Sequence, residues 1–297
     1  MLVESTPGAF WGLQTAKANF CEEVGTYQDD IKSHSDLDYV VTRYVAEFIN
    51  SLTNLLYIFY GIYGLRRLRQ KSNVDVFRTI PYWGLMAVGI CSAAFHISLK
   101  YQTQMLDDLS MHFATTPVLH RVLTVNATRR DTIAMAILLG SSLLGLVVYH
   151  VKMDELILHS VYFGATIVVI GIRTMQLINT QTRAGSAARG QIWGIVRFGA
   201  VIFNSGFYLW LIDGWACGFL RSAREKIGLP WAFLLELHGW WHIFTGIGAY
   251  IFIAVVDHLV SGEEHDDIEA TFAWPAPWAS RSIFAGKEVN LKPPKQE

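Results

Sequence analysis

The chain has 297 residues, of which 52% are hydrophobic and only 16% are charged, and its formal net charge is −1. A soluble domain carries about 25% charged residues, so this composition excludes an ordinary soluble protein and predicts one embedded in a membrane. The near-neutral balance gives no reason to expect a nucleic acid partner. The first eighteen residues hold no apolar core of signal-peptide length, so we expect the first spanning helix to direct targeting.

Seven segments reach the length of about 20 apolar residues that crosses a bilayer. The third is the least apolar because it contains Asp107, Asp108 and His112, which indicates a helix that faces the protein interior. The sequence therefore predicts an all-α membrane protein, a seven-transmembrane helix bundle. The predicted spans are Tyr44–Leu65, Ile80–Leu99, Met105–Val125, Thr132–Val151, Leu156–Ile178, Ile192–Leu211 and Trp231–Leu259.

Lysine and arginine are concentrated in the loops after the first, third and fifth spans, which include Arg66, Arg121 and Arg183. Because cytosolic loops are enriched in these residues, this pattern predicts a lumenal N-terminus and a cytosolic C-terminus. The loop before the seventh span, with Arg221 and Arg224, departs from the pattern. We expect a lumenal segment over residues 1–43, a transmembrane domain over 44–260 and a flexible cytosolic tail over 261–297.

Two histidines in the seventh span, His238 and His242, lie one helical turn apart on one face, a spacing that suits a shared metal ion. The predicted topology places His96 at the same depth in the lumenal half of the membrane, close to Ser92 and Asp107. Three histidines leave a fourth zinc position open for water, as in catalytic sites. In this interpretation Asp107 takes a proton from that water and Ser92 donates to the oxyanion.

Other interpretations of these histidines remain open. The sequence HGWWH has Gly239 where soluble metalloproteases of the HExxH type carry their glutamate. Paired histidines at this spacing also occur in haem proteins, and a structural zinc ion would suit a seven-span receptor or scaffold. The remaining intramembrane histidines have no partner at metal spacing, so we interpret them as interfacial or hydrogen-bonded packing residues; these are His112, His120, His150 and His159.

Acidic residues before and within the start of the first span form a second candidate ion site. Oxygen ligands from Asn19, Glu22, Asp38 and Glu47 would suit a hard cation such as calcium, and the alternative is a solvated acidic segment.

Cys21 and Cys217 both fall on the predicted lumenal side, where disulfides persist, so we predict a bond between them. Cys91 lies within the second span and is expected to be a free thiol.

Five motifs carry a resemblance to a known family: FWG at Phe10, CEE at Cys21, YVAEF at Tyr44, SAAFHISLKYQTQMLDDL at Ser92 and HGWWH at His238. In order and spacing, the chain resembles the alkaline ceramidases, seven-span hydrolases related more distantly to the adiponectin receptors. The resemblance covers about 10–260. It implies a zinc-dependent amidase of the endoplasmic reticulum or Golgi membrane whose substrate is a ceramide-type lipid.

The resemblance also implies residue roles, and they agree with those inferred above. The zinc ligands would be His96, His238 and His242, the catalytic pair would be Ser92 and Asp107, and the disulfide would join Cys21 and Cys217. The resemblance adds the backbone carbonyl of Phe20 to the calcium ligands. Two departures concern this calcium site. Asn19 and Phe20 replace an Asp-Trp pair, and residues 24–37 interrupt the family motif, either as a lumenal loop or as a segment retained through a gene-model or splicing error.

Overall fold

A computed structural model describes residues 10–12, 14–18, 20–21, 41–71, 74–228, 230–263 and 272–282. Within these ranges the regular structure is helical, apart from an isolated bridge between Thr42 and Val45. The helices are α1 (Phe48–Thr53), α2 (Leu55–Leu68), α3 (Val76–Ser98), α4 (Tyr101–Leu123), α5 (Arg129–Met153), α6 (Ile157–Gln181), α7 (Ala187–Trp215), α8 (Cys217–Ile227), a 3₁₀ turn (Trp231–Leu235), α9 (Leu237–Val260) and α10 (Ala276–Ser282).

Five of the described helices are long and apolar enough to cross a membrane: α3, α5, α6, α7 and α9. They correspond to five of the predicted spans, with ends that differ by a few residues. The predicted first span differs because Asn54 interrupts it, leaving α1 and the 14-residue α2. Helix α4 has 23 residues but a polar sequence. The seven-span count and the orientation of the termini therefore stay predictions.

Helix α9 lies at the centre of the molecule and contacts α1, α2, α3, α4, α6 and α7. Its Tyr250, Ile251 and Val255 are fully buried. The closest neighbour is α7, and glycine permits this approach, because a Cβ atom at Gly248 would lie 2.8 Å from the Cβ of Phe203. Tight packing of this kind is typical of helix interfaces in membranes, where small residues let two backbones come close.

Buried ion pairs join α3, α4 and α9 at one end of the bundle. The Arg78 guanidinium donates to both carboxylate oxygens of Asp257 at 3.0 and 2.8 Å, and Arg121 donates to the same carboxylate at 2.9 Å. Arg78 lies about five helical turns before His96 on α3. The ion pairs and the predicted zinc ligands therefore occupy opposite ends of α3.

An N-terminal segment runs along the end of the bundle that contains His96. The amides of Thr15 and Ala16 donate to the carbonyl of Leu99 at 3.1 and 3.2 Å. Leu99 ends α3 in the left-handed conformation, with φ of 50°. Further along, the amides of residues 17 and 18 donate to the side-chain oxygen of Gln104 at 2.9 and 3.2 Å. These bonds fix the segment across the start of α4.

Residues 272–282 pack onto the bundle, whereas the sequence predicted a flexible tail from residue 261. The side chains of Phe272, Ala273 and Ala276 are buried, and α10 contacts α7. The amide of Ala273 donates to the hydroxyl of Tyr250 at 3.0 Å. The prediction is wrong for this part of the tail because small and aromatic side chains within a polar sequence provide an apolar face for α10.

Candidate metal centre

The three predicted zinc ligands meet in the structure. His96 lies in the last turn of α3, and His238 and His242 lie in the first turns of α9. One ring nitrogen from each lies within 4.8 Å of the others, and all three side chains are buried. Helices α3 and α9 therefore bring these histidines together, and their role as zinc ligands stays a prediction.

His96 is oriented by Glu47, which is 1% exposed. The Nδ1 atom of His96 hydrogen-bonds to the Oε2 atom of Glu47, and the Glu47 amide donates to the His96 carbonyl at 2.9 Å. A carboxylate accepts only, so Nδ1 carries the hydrogen and Nε2 presents a lone pair. The Nε2 atom is buried and has no hydrogen-bond partner within the part of the chain that the structure describes, which is the condition expected of a metal ligand.

His242 is oriented by the residues where α1 ends. The Oγ1 atom of Thr53 lies 3.0 Å from Nδ1 of His242 and donates its own hydrogen to the Ile49 carbonyl at 2.9 Å. Thr53 therefore accepts from Nδ1, which leaves Nε2 of His242 available to a metal. Sequence reasoning missed this role, although Thr53 and Asn54 are polar residues within an apolar segment, and that signal was available.

His238 has a different kind of support. Its ring stacks on the ring of Phe20 with a centroid distance of 3.6 Å and an interplanar angle of 24°. Its Nδ1 atom is buried and has no hydrogen-bond partner among the described residues. Phe20 also contacts the ring of His96, at 5.5 Å between centroids. The N-terminal segment thus covers the histidine cluster with an aromatic side chain.

Gly239, between the two α9 ligands, allows α1 to approach the site. A Cβ atom at this position would lie 2.7 Å from the side chain of Ile49. The close approach of α1 is what places Thr53 beside His242. A glycine here therefore has a packing reason, and the glutamate found in HExxH proteases would not fit.

These residues fit a zinc ion by their chemistry. Zinc prefers three or four nitrogen or sulfur ligands, and the three neutral imidazoles supply three nitrogens in a buried setting. In two of them the other ring nitrogen hydrogen-bonds to an oxygen, as it usually does in metal-bound histidines; the partners are Glu47 for His96 and Thr53 for His242. Three protein ligands leave one position for water or substrate.

The predicted catalytic pair lies beside the histidines. Ser92 is buried one turn before His96 on α3, and its side chain hydrogen-bonds to the carboxylate of Asp107 on α4. Asp107 is half-buried. The hydroxyl therefore orients the carboxylate that the sequence proposed as a general base.

An apolar cavity with a volume of about 90 Å³ lies near the site, between α2, α3, α4, α6, α7 and α9. Its wall includes Phe163, Trp241 and Tyr57. The Tyr57 ring lies 6.4 Å from the ring of His242, and its hydroxyl is 2.6 Å from the hydroxyl of Thr245. This apolar cavity therefore lies next to the histidine cluster, and a chain-like hydrophobic ligand suits its lining.

The predicted disulfide between Cys21 and Cys217 is present. Two buried charged residues hold the same position, because the Cys21 amide donates to Asp213 at 2.9 Å and the Cys21 carbonyl accepts from Arg224. Arg224 also pairs with Glu236 at 2.7 Å. The disulfide and these bonds fix the residue next to Phe20, and thereby the aromatic cover of the site.

The predicted calcium site is only partly described. Asn19, Glu22 and Asp38 lie outside the described residues. Of the other two predicted ligands, Phe20 stacks on His238 and Glu47 hydrogen-bonds to His96. Calcium binding therefore stays a prediction, and the Glu47 carboxylate contacts both His96 and the side-chain amide of Asn50.

Three other histidines, interpreted from the sequence as interfacial or hydrogen-bonded packing residues, come together in the structure. His112, His150 and His159 belong to α4, α5 and α6 and form a hydrogen-bonded group with Asp108. Sequence reasoning did not find this grouping, because the convergence of three helices cannot be read from spacing along the chain. The low hydropathy of α4 was the available signal.

Most of the chain is similar to proteins of one family. A family model described as Ceramidase matches residues 12–283. Alkaline ceramidase YPC1 of Saccharomyces cerevisiae is 31% identical over 268 residues, covering 86% of this chain and 79% of that protein. Alkaline ceramidase 3 of Mus musculus is 29% identical over 250 residues, covering 82% and 84%. Putative alkaline ceramidase dcd3A of Dictyostelium discoideum is 25% identical over 270 residues, covering 81% and 85%.

Proposed function

Because the chain belongs to the ceramidase family, we propose that it is an alkaline ceramidase that cleaves the N-acyl bond of ceramides. The products are a sphingoid base and a free fatty acid. The observation that carries the proposal is the meeting of three buried histidines with Ser92 and Asp107 beside an apolar cavity. We propose that His96, His238 and His242 hold zinc.

Zinc, when bound, supplies a Lewis acid for the amide carbonyl and lowers the pKa of a bound water to about 7. The chain's own residues supply the proton transfers. In this mechanism a carboxylate oxygen of Asp107 takes a proton from the attacking water and passes it to the leaving nitrogen. Ser92 orients that carboxylate and supports the oxyanion.

The cavity accounts for how a two-chain lipid reaches a buried site. Apolar side chains such as Phe163 and Trp241 suit acyl chains, and the polar end of the substrate would lie near the hydroxyl of Tyr57. A ceramide is membrane-bound before it binds, so entry between helices avoids exposing its chains to water. The fold thus supports an intramembrane reaction.

The resemblance to the family motivates placement in the endoplasmic reticulum or Golgi membrane, which remains part of this proposal. Cell fractionation with the tagged full chain tests it. Recovery in the plasma membrane alone would contradict it.

Hydrolysis of a fluorescent ceramide in detergent micelles tests the activity. Asp107→Asn removes the base but keeps the shape of the side chain, so kcat should fall roughly 10²–10⁴-fold while zinc content, measured by mass spectrometry, stays at the wild-type level. Asp131→Asn is the matched control, because Asp131 is exposed at the start of α5. Full zinc content without turnover in the wild-type protein would refute the proposal and favour a receptor or scaffold.

A further inference from the structure

Four buried ionisable side chains outside the proposed catalytic set form one cluster. They are Asp108 and His112 of α4, His150 of α5 and His159 of α6. Ionisable groups are costly within a membrane and commonly mark paths for ions or protons. The proposed hydrolysis does not yet give these four residues a role.

The bond between His150 and Asp108 requires a proton. Nδ1 of His150 lies 2.8 Å from the backbone carbonyl of Glu155, which can only accept, so Nδ1 carries a hydrogen. Nε2 of the same ring lies 3.1 Å from Oδ2 of Asp108. Without a further proton, a lone pair would face an anionic oxygen. The pair therefore holds one proton between Nε2 and Oδ2.

The cluster extends from this pair towards the cavity. Nε2 of His159 lies 3.7 Å from Oδ1 of Asp108, and its Nδ1 lies 2.8 Å from Nε2 of His112. The His112 ring contacts Phe163, a cavity residue, at 6.0 Å between centroids. A nearly continuous series of polar atoms thus joins the cavity wall to the loop that holds Glu155.

The same cluster adjoins the proposed general base. Asp108 follows Asp107 in α4, and the two carboxylates interact electrostatically. The titratable groups that face His150 are Asp108 from α4, His159 from α6 and Glu155 from the α5–α6 loop. The loop is itself half-buried, so its carbonyl lies near the end of the bundle.

We propose that Asp108 and His150, with His159, relay a proton between Asp107 and the α5–α6 loop, an inference that rests on the proposed function. Attack of water forms the C–O bond and moves one proton to Asp107, which gives it to the nitrogen as the C–N bond breaks. The new carboxyl group loses the second water proton. That proton passes from Asp107 to the Asp108–His150 pair, and the pair gives up the Nδ1 proton of His150 to a water molecule at the loop, so that one proton leaves the pair for each proton that enters it.

Chemical rescue separates a relay from a structural role. His150→Ala should lower kcat roughly tenfold or more, and free imidazole should restore it severalfold by replacing the missing ring. Zinc content should match the wild type, since His150 does not contact the zinc ligands, whereas thermal stability should fall because the buried carboxylate of Asp108 loses a partner. The control is His120→Ala on α4, whose ring lies 3.1 Å from the Thr132 carbonyl and whose kcat should not respond to imidazole.

The following outcomes would contradict the proposed relay. A kcat unchanged by His150→Ala, or lost without rescue in a stable zinc-loaded variant, would overturn the relay. Should the alanine variant fail to fold, His150→Gln provides the comparison, since an amide can keep the bond to Glu155 but cannot relay a proton; wild-type kcat in it would overturn the relay. Absence of turnover in the wild type would overturn the proposed function, and with it the relay.

Discussion

Replacement of Glu47 tests how zinc affinity depends on the orientation of His96. Glu47 is almost fully buried, and its carboxylate accepts a hydrogen bond from Nδ1 of His96. Glu47→Ala removes this acceptor and leaves a buried N–H group without its partner. Glu47→Gln keeps an acceptor of similar shape but removes the charge.

The structure sets the expected size of the two effects. Loss of a group that hydrogen-bonds to a metal ligand lowers metal affinity by about 10–100-fold. The backbone bond between the Glu47 amide and the His96 carbonyl survives both changes, which keeps the chain in position. We therefore expect about tenfold weaker zinc binding in Glu47→Gln and about a hundredfold in Glu47→Ala, or ~1.4 and ~2.7 kcal/mol.

Competition with a chromogenic chelator measures the zinc Kd of the purified full chain in detergent. Glu225→Gln is the control, because Glu225 is exposed on α8. The titration is repeated with calcium and with a calcium-selective chelator. Wild-type zinc affinity in Glu47→Ala would refute the reasoning, and a loss seen only when calcium is present would assign Glu47 to the predicted calcium site.

Two further predictions concern the cover of the site and the opposite end of the bundle. Phe20→Ala removes the ring stacked on His238 and should speed chelator-driven zinc release severalfold, whereas Phe20→Trp should preserve the slow rate; equal rates in all three proteins would contradict a supporting role. Asp257→Ala removes the carboxylate shared by Arg78 and Arg121 and should destabilise the fold by about 3–5 kcal/mol, measured by thermal unfolding. Its zinc Kd should not change, because the site is far along α3, and a matching loss of zinc affinity would contradict this separation.

The meeting of the three histidines could be predicted from the sequence because two simple rules constrain their positions. His238 and His242 lie one turn apart on a single helix, and the alternation of spans places His96 at the same depth. The disulfide followed from the same alternation, since Cys21 and Cys217 fall on one side. These inferences use only local spacing and the order of the spans.

Other features depend on contacts that spacing along the chain does not contain. The interruption at Asn54 depends on how α1 packs against Gly239, and this packing places Thr53 beside His242. The grouping of His150 and His159 around Asp108 depends on the rotation of three helices about their axes. A single sequence gives the apolar period of each helix but not these relative rotations.

The contacts that hold the three histidines indicate whether the insertion at residues 24–37 is compatible with an assembled cluster. His96 and His242 donate hydrogen bonds to residues at or near α1, whereas His238 is supported by Phe20 from the N-terminal segment. The two supporting regions are fixed independently. Cys21 is held by a disulfide and two buried charged residues, and Glu47 is held by the backbone at the end of α3. Because both ends are anchored, additional residues between them can be accommodated without moving either support. The insertion is therefore compatible with an assembled histidine cluster, and any effect it has should fall first on the predicted calcium ligands that it separates.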